Sequence, residues 1–167
     1  MVRHALEHEI HCTPERMWTL FFDDEFNYEM YLQGLGFPKC EIPEKRDDGE
    51  VLFRRMVCTP KVDMPKVVAK IVGDKTAYVE EGEWVRSANE WRWSLQLAAF
   101  GDKVSVGGTM RLEPFGDGHC KRITPFQVEA KIFGIAKIIE KTSADNVIAG
   151  WNASAAWING WLARNPA

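Results

Sequence analysis

The fold is decided by residues 132–164, which read IFGIAKIIEKTSADNVIAGWNASAAWINGWLAR. Apolar and small side chains recur in this stretch at spacings of three and four, which is the period of an amphipathic helix. They are Ile132, Ile135, Ala136, Ile139, Ser143, Val147, Trp151, Ser154, Ile158, Trp161 and Leu162. A helix of this length would extend about 45–50 Å. Gly134, Gly150 and Gly160 weaken it locally and allow a kink or a break.

The residues before this helix follow a different period. From residue 39 to residue 131 apolar and polar side chains alternate, which is typical of half-buried β-strands. The predicted strands are residues 40–45, 51–58, 67–72, 76–85, 89–100, 104–113 and 119–131. Turn sequences such as Arg46-Asp47-Asp48-Gly49 and Gly116-Asp117-Gly118 separate them, so successive hairpins build one antiparallel sheet.

The N-terminal part adds a strand and two short helices. Residues 3–12 alternate and predict the first strand. Thr13-Pro14-Glu15 then opens a helix, because threonine caps, proline suits the first helical position and glutamate favours the positive end of the dipole. Asp23-Asp24 ends that helix and caps a second one, which stops at Gly34-Leu35-Gly36.

The order of elements predicts an α+β fold. A curved antiparallel sheet of about seven strands would wrap around the long C-terminal helix, with two short helices after strand one. The 167 residues fit a single domain, residues 1–167.

The composition excludes several classes of function. A formal charge of −3 without a basic stripe argues against nucleic-acid binding. No run reaches the roughly 18 apolar residues of a membrane span, and the N-terminus has no apolar signal core, so we expect a cytoplasmic protein. The four cysteines form no CxxC pair and predict reduced thiols.

Metal and cofactor sites are not expected. His4 and His8 lie about 13 Å apart on a strand, too far to share an ion, and His11 points to the other face. No Walker loop, dinucleotide-binding fingerprint or Ser-His-Asp spacing is present.

The sequence resembles the START-like superfamily, also called helix-grip or SRPBCC. The resemblance rests on residues 13–18, 24–26, 64–68, 80–84, 107–114, 128–134 and 140–141, and it covers nearly the whole chain. The nearer resemblance is to a bacterial START-like family of unknown function, and the chain is also similar to the sterol-binding VASt-type domain. The resemblance implies the helix-grip fold with a cavity between sheet and helix. Such folds host lipid carriers, hormone receptors and cyclases, so the function must be argued from the site.

The candidate ligand-binding residues lie on faces expected to point at the long helix. The apolar ones are Trp91, Trp93, Leu95, Val106 and Met110 on the strands, with Val147, Trp151, Ser154, Ala155 and Ile158 on the helix. The polar candidates are His4, His8, Arg55, Tyr78 and Glu80. Small helix residues opposite large aromatic ones leave space for an apolar ligand, although the residues alone are equally consistent with a filled core. The resemblance favours the cavity.

Three functions follow from this arrangement. The leading one is binding or transfer of a hydrophobic small molecule such as a sterol-like or other lipid, and the sequence leaves open whether the protein transfers the molecule or only binds it. The alternatives are a cyclase or dehydratase acting on a polyketide-like substrate in the same cavity, and a partner-binding domain with a filled core. Phe37, Met64 and Phe115 each lie near a proline and would form a cavity entrance that contacts a membrane transiently.

Overall fold

The computed structural model describes residues 1–167. Its strands are β1 (Val2–Ile10), β2 (Lys39–Asp47), β3 (Val51–Thr59), β4 (Tyr78–Val85), β5 (Glu90–Leu97), β6 (Val104–Phe115) and β7 (His119–Ala130). Its helices are α1 (Pro14–Phe21), α2 (Asp24–Tyr28, continued by a π-helical segment Glu29–Gly34), α3 (Lys66–Val72) and α4 (Ala136–Arg164).

The seven strands form one antiparallel sheet in the order β1-β7-β6-β5-β4-β3-β2. Each strand from β2 to β6 pairs with the next strand in the chain, and β1 forms the edge of the sheet beside β7. Helix α4 packs on β1 and β7 and buries Ile139, Ala155, Ile158 and Leu162 in the main core. This arrangement confirms the α+β helix-grip fold.

The two short helices begin at the capping residues that the sequence predicts. The Thr13 side chain accepts a hydrogen bond from the backbone N–H of Arg16, with Pro14 at the first helical position. The Asp23 carboxylate accepts one from the N–H of Phe26 at 2.7 Å. These bonds satisfy N–H groups that a helix start otherwise leaves without partners.

The long helix begins later than predicted, at Ala136 instead of Ile132. Gly134 adopts a φ of 79°, in the left-handed region, which ends the preceding segment before the helix starts. Gly150 and Gly160 lie within one uninterrupted helix of 29 residues, so the allowed break does not occur.

The predicted strand at residues 67–72 is wrong, because these residues form helix α3. Val68 and Val72 are four residues apart and both buried, so they share one helical face. Pro65 precedes the helix, and Gly73 ends it with a φ of 56°. An apolar run of this length is too short for the spacing of its apolar residues to distinguish a strand from a helix.

The four cysteines are free and buried, and the fold brings them together in two pairs. Cys40 and Cys58 lie opposite each other on β2 and β3 with their sulfur atoms 3.5 Å apart. Cys12 and Cys120 form the second pair, in which the shared thiol hydrogen bond raises the pKa of Cys120. None of the helices is both long and apolar enough to cross a membrane.

Candidate functional site

A cavity of about 370 Å³ lies between the sheet and helix α4. Of its 36 lining residues 24 are hydrophobic, so the space suits an apolar ligand better than a polar one. Helix α2 with its π-helical segment forms one wall, and α3 lies over one end.

Many of the predicted ligand-binding residues line this cavity. They are Tyr78, Glu80, Trp93, Leu95, Val106, Val147, Trp151, Ser154 and Ile158. Pairing of β4 with β5 sets Tyr78 opposite Leu97 and Glu80 opposite Leu95, which places these side chains on one face. The alternation of β5 and the three-and-four spacing of α4 therefore converge on the same space.

Five other predicted residues face inward but lie outside the cavity lining. His4 stacks on Phe126 with ring centroids 5.3 Å apart. His8 shares a 2.8 Å hydrogen bond with Asn152 of α4, and burial lowers its pKa. Trp91, Met110 and Ala155 are buried in the core, not exposed to the cavity.

The structure corrects the placement of Arg55, whose neighbour Arg54 is the inward-facing arginine. The Arg55 side chain is 42% exposed and pairs with Glu81 on the outer face of the sheet. Arg54 is 1% exposed and donates to Glu80 at 3.0 Å and to the Phe21 carbonyl at 2.6 Å. Strand β3 carries apolar residues on both faces, so its alternation alone did not identify the buried face.

Two tyrosines add hydroxyl groups to the wall near Glu80. Tyr31 from the π-helical segment and Tyr78 from β4 both line the cavity. Burial raises the pKa of both phenols well above the usual value, so both stay protonated near neutral pH. Each can therefore donate a hydrogen bond to a ligand oxygen.

The sequence reasoning missed Arg122, a cavity-lining residue of β7 that is 2% exposed. Its Nη2 donates to the Trp151 carbonyl at 2.8 Å and to Ser154 Oγ at 3.2 Å, and its guanidinium lies 4.6 Å from the Trp151 ring centroid. Burial lowers its pKa to about 10, so it remains charged at neutral pH. The alternation of Arg122, Thr124, Phe126 and Val128 was the available signal, since all four are buried.

Two of the three predicted entrance residues lie at the cavity, and the third does not. Phe37 and Met64 line it together with Val68 and Val72 of α3. Phe115 is exposed on the β6–β7 hairpin, where Lys121 lies over its ring. Strand β6 runs 12 residues from Val104, near the α3 end, to Phe115, so its proline-flanked tip points away from that end. The prediction that these three loops gather at one end is therefore wrong.

A small polar cluster lies outside the cavity, on the surface beside α4. Glu9, His11 and His119 bring their potential ligand atoms within 4.8 Å of one another. His119 Nδ1 and the Glu9 carboxylate are already hydrogen-bonded at 2.7 Å, and Asn159 bonds the backbone of Glu9 and His11. The cluster thus ties β1 and β7 to α4.

Solved structures with a similar fold include three bacterial proteins. One from Thermus thermophilus is 22% identical, covers 98% of this chain and 99% of its own, and has a TM-score of 0.63. A START superfamily protein from Mycobacterium smegmatis is 16% identical over 95% and 98%, with a TM-score of 0.61. The Zhui aromatase/cyclase from Streptomyces sp. R1128 is 12% identical over 94% of each chain, with a TM-score of 0.62. These likenesses confirm the START-like fold.

The sequence comparisons agree with the resemblance to a START-like family of unknown function. No curated protein sequence matches the chain. The profile of one family, described as "Protein of unknown function (DUF2505)", matches residues 5–162. Because that match spans nearly the whole sequence, the chain belongs to the DUF2505 family.

Proposed function

We propose that this protein binds a hydrophobic small molecule, such as a lipid, in the cavity between the sheet and α4. The observation that carries the proposal is a mainly apolar cavity of about 370 Å³ in the interior of the domain. At about 25 cal/mol per Å², burying 300 Å² of apolar ligand surface would contribute about 7 kcal/mol before ordering costs. Before those costs are subtracted, this contribution corresponds to a dissociation constant of several micromolar, on the order of 10⁻⁵ M.

Tryptophan fluorescence tests this proposal directly, because Trp93 and Trp151 line the cavity with ring centroids 6.1 Å apart. Titration with a series of long-chain alcohols, fatty acids and sterols should give a saturable change for at least one of them, at one ligand per protein. Full absence of a change across the series would contradict the proposal.

We expect the ligand to enter and leave the cavity at the end that helix α3 covers. Val68 and Val72 cover the cavity end, while no side chain caps the start of this seven-residue helix. Its preceding loop is held by hydrogen bonds between Asp63 and Asn146 of α4, at 2.9 and 3.3 Å. A few exposed hydrogen bonds are typical of segments that open at low free-energy cost.

The outer face of α3 suits contact with an anionic membrane, from which a lipid would be taken up or released. Val67 and Ile71 are exposed there, beside Lys66 and Lys70, which form no ion pair. Fully exposed Phe133 follows β7, whose last residues lie beside the start of β6 at the same end of the sheet. Exposed apolar side chains among lysines combine hydrophobic insertion with attraction to anionic lipid.

The double substitution Val67→Ser and Ile71→Ser should weaken binding to vesicles containing phosphatidylserine by about tenfold, because two exposed apolar side chains are lost from the contact. Co-sedimentation with the vesicles measures this. Phe115→Ser is the matched control, since it removes one exposed apolar side chain at the opposite end of the sheet. Equal loss in both variants, or no loss in either, would exclude α3 as the contact surface.

A cyclase or dehydratase activity is the second candidate, favoured by the polar wall of Tyr31, Tyr78 and Glu80 in an otherwise apolar cavity. Neutral phenols can stabilise a developing enolate, and a carboxylate can accept a proton. His4 and His8 lie outside the cavity lining and have no place in this scheme. Mass spectrometry of a poly-β-ketone analogue incubated with the protein would detect loss of water, and an unchanged analogue would count against catalysis.

A further inference from the structure

We propose that the ligand is an amphiphile with one negative charge, and that Arg122 binds its oxyanion head group, of which a carboxylate is the simplest form. This inference rests on the proposed ligand-binding function and names the chemical class of the ligand.

The Arg122 guanidinium has donors that no protein atom uses. A guanidinium carries five N–H donors. Nη2 makes all the hydrogen bonds of this side chain, to Trp151, Ser154 and His8, while the buried Nε has no partner. Nη1 makes no hydrogen bond to the protein either, and unlike Nε it is not fully enclosed by protein atoms, so a ligand oxyanion in the cavity can accept hydrogen bonds from it.

The buried charges around the cavity also leave an excess of one positive charge. Arg54 and Glu80 neutralise each other at 3.0 Å. Glu140, the remaining buried acid, accepts hydrogen bonds from the Ala130 N–H and the Met1 amino group. Arg122 forms no ion pair, and His8 beside it is held neutral at pH 7 because burial lowers its pKa. A buried charge without a counter-ion is expensive, and a monoanionic ligand would supply the counter-ion.

The position of Arg122 fixes the direction in which such a ligand would lie. On β7 it pairs with His8 and Leu112, eight residues before Ala130, where the strand ends beside Val104. At about 3.3 Å per residue, Arg122 is roughly 26 Å along the strand from that end. The head group would therefore lie deep in the cavity, and the apolar tail would point towards α3.

A purely structural role for Arg122 predicts something different. The bonds from Nη2 to Trp151 and Ser154 hold α4 to β7, and they need only a donor at that atom. A structural arginine would leave the affinity for charged and uncharged ligands equal. Head-group preference is therefore the readout that separates the two roles.

The experiment uses two competitors of equal chain length, a fatty acid and the corresponding fatty alcohol, that displace a fluorescent apolar probe from the full-length protein. The wild type should bind the acid about tenfold or more tightly than the alcohol, since hydrogen bonds to charged groups are the stronger ones. Arg122→Met should lose this preference and keep its affinity for the alcohol. Arg122→Lys should keep part of the preference, because it retains the charge without the planar fork.

The possible results distinguish failure of the Arg122 proposal from failure of the proposed ligand binding. Equal affinity of the wild type for acid and alcohol would overturn the inference while leaving the proposed cavity binding intact. Failure of both to displace the probe, with no other lipid binding, would instead overturn the proposed function. A preference that survives in Arg122→Met would assign the head group to another cation, such as Lys61 or Lys75 of the cavity lining. Should Arg122→Met not fold, the preferences of the wild type and Arg122→Lys still decide.

Discussion

Glu80→Ala is expected to lower the free energy of unfolding by about 3–5 kcal/mol, because it breaks a buried ion pair. The substitution leaves Arg54, which is 1% exposed, without its carboxylate partner. Arg54 lies 4.5 Å from the Phe21 ring and 5.1 Å from the Trp91 ring, so it would remain a buried charge without a counter-ion. Urea denaturation followed by circular dichroism measures the change.

The neighbouring pair on the outer face provides the control for this prediction. Glu81→Ala removes the partner of Arg55, but both side chains are nearly half exposed, so the expected cost is under about 1 kcal/mol. The double substitution Arg54→Met and Glu80→Leu should recover most of the lost stability, because it removes both buried charges. Equal costs for Glu80→Ala and Glu81→Ala would contradict the buried ion pair.

Gly150→Phe is expected to lower the affinity for an apolar ligand at least tenfold. Gly150 lies on the face of α4 that lines the cavity, and a Cβ added there would meet no atom within 4 Å. A phenyl ring at this position can therefore enter the cavity and occupy the space of the ligand. Displacement of a fluorescent apolar probe measures the loss.

Gly150→Ala separates the loss of space from any damage to the helix. Alanine is a better helix former than glycine by about 1 kcal/mol, so this variant should be more stable than the wild type and should bind the ligand nearly as well. Unchanged probe binding in a folded Gly150→Phe protein would show that the ligand site lies elsewhere.

The fold could be predicted where the spacing of apolar residues stayed regular over many residues. Alternation of Trp91, Trp93, Leu95 and Leu97 defined β5, and the spacing of three and four defined α4. The prediction failed at α3, because seven residues are too few to separate the two periods. The start of α4 was missed because the spacing of three and four continues back to Ile132, whereas Gly134 adopts a left-handed φ of 79°.

The candidate site was predictable in part for the same reason. The aromatic residues of β5 were found because they alternate with polar ones, and the small residues of α4 were found because they recur at spacings of three and four. Arg122 was missed because a charged residue is normally assigned to the solvent face, and Arg54 was missed because β3 carries apolar residues on both faces. The sheet register, which sets Arg54 opposite Gly82, places Arg54 inside, whereas for Arg122 the alternation with Thr124, Phe126 and Val128 was a signal in the sequence itself.

Native mass spectrometry of the purified protein, followed by organic extraction and lipid analysis, tests whether the cavity holds an anionic amphiphile. We expect one bound molecule per protein, extracted as an amphiphile with an acidic head group and an apolar tail. A protein that is empty as purified, and that also takes up no fatty acid, alcohol or sterol when these are added, would contradict it.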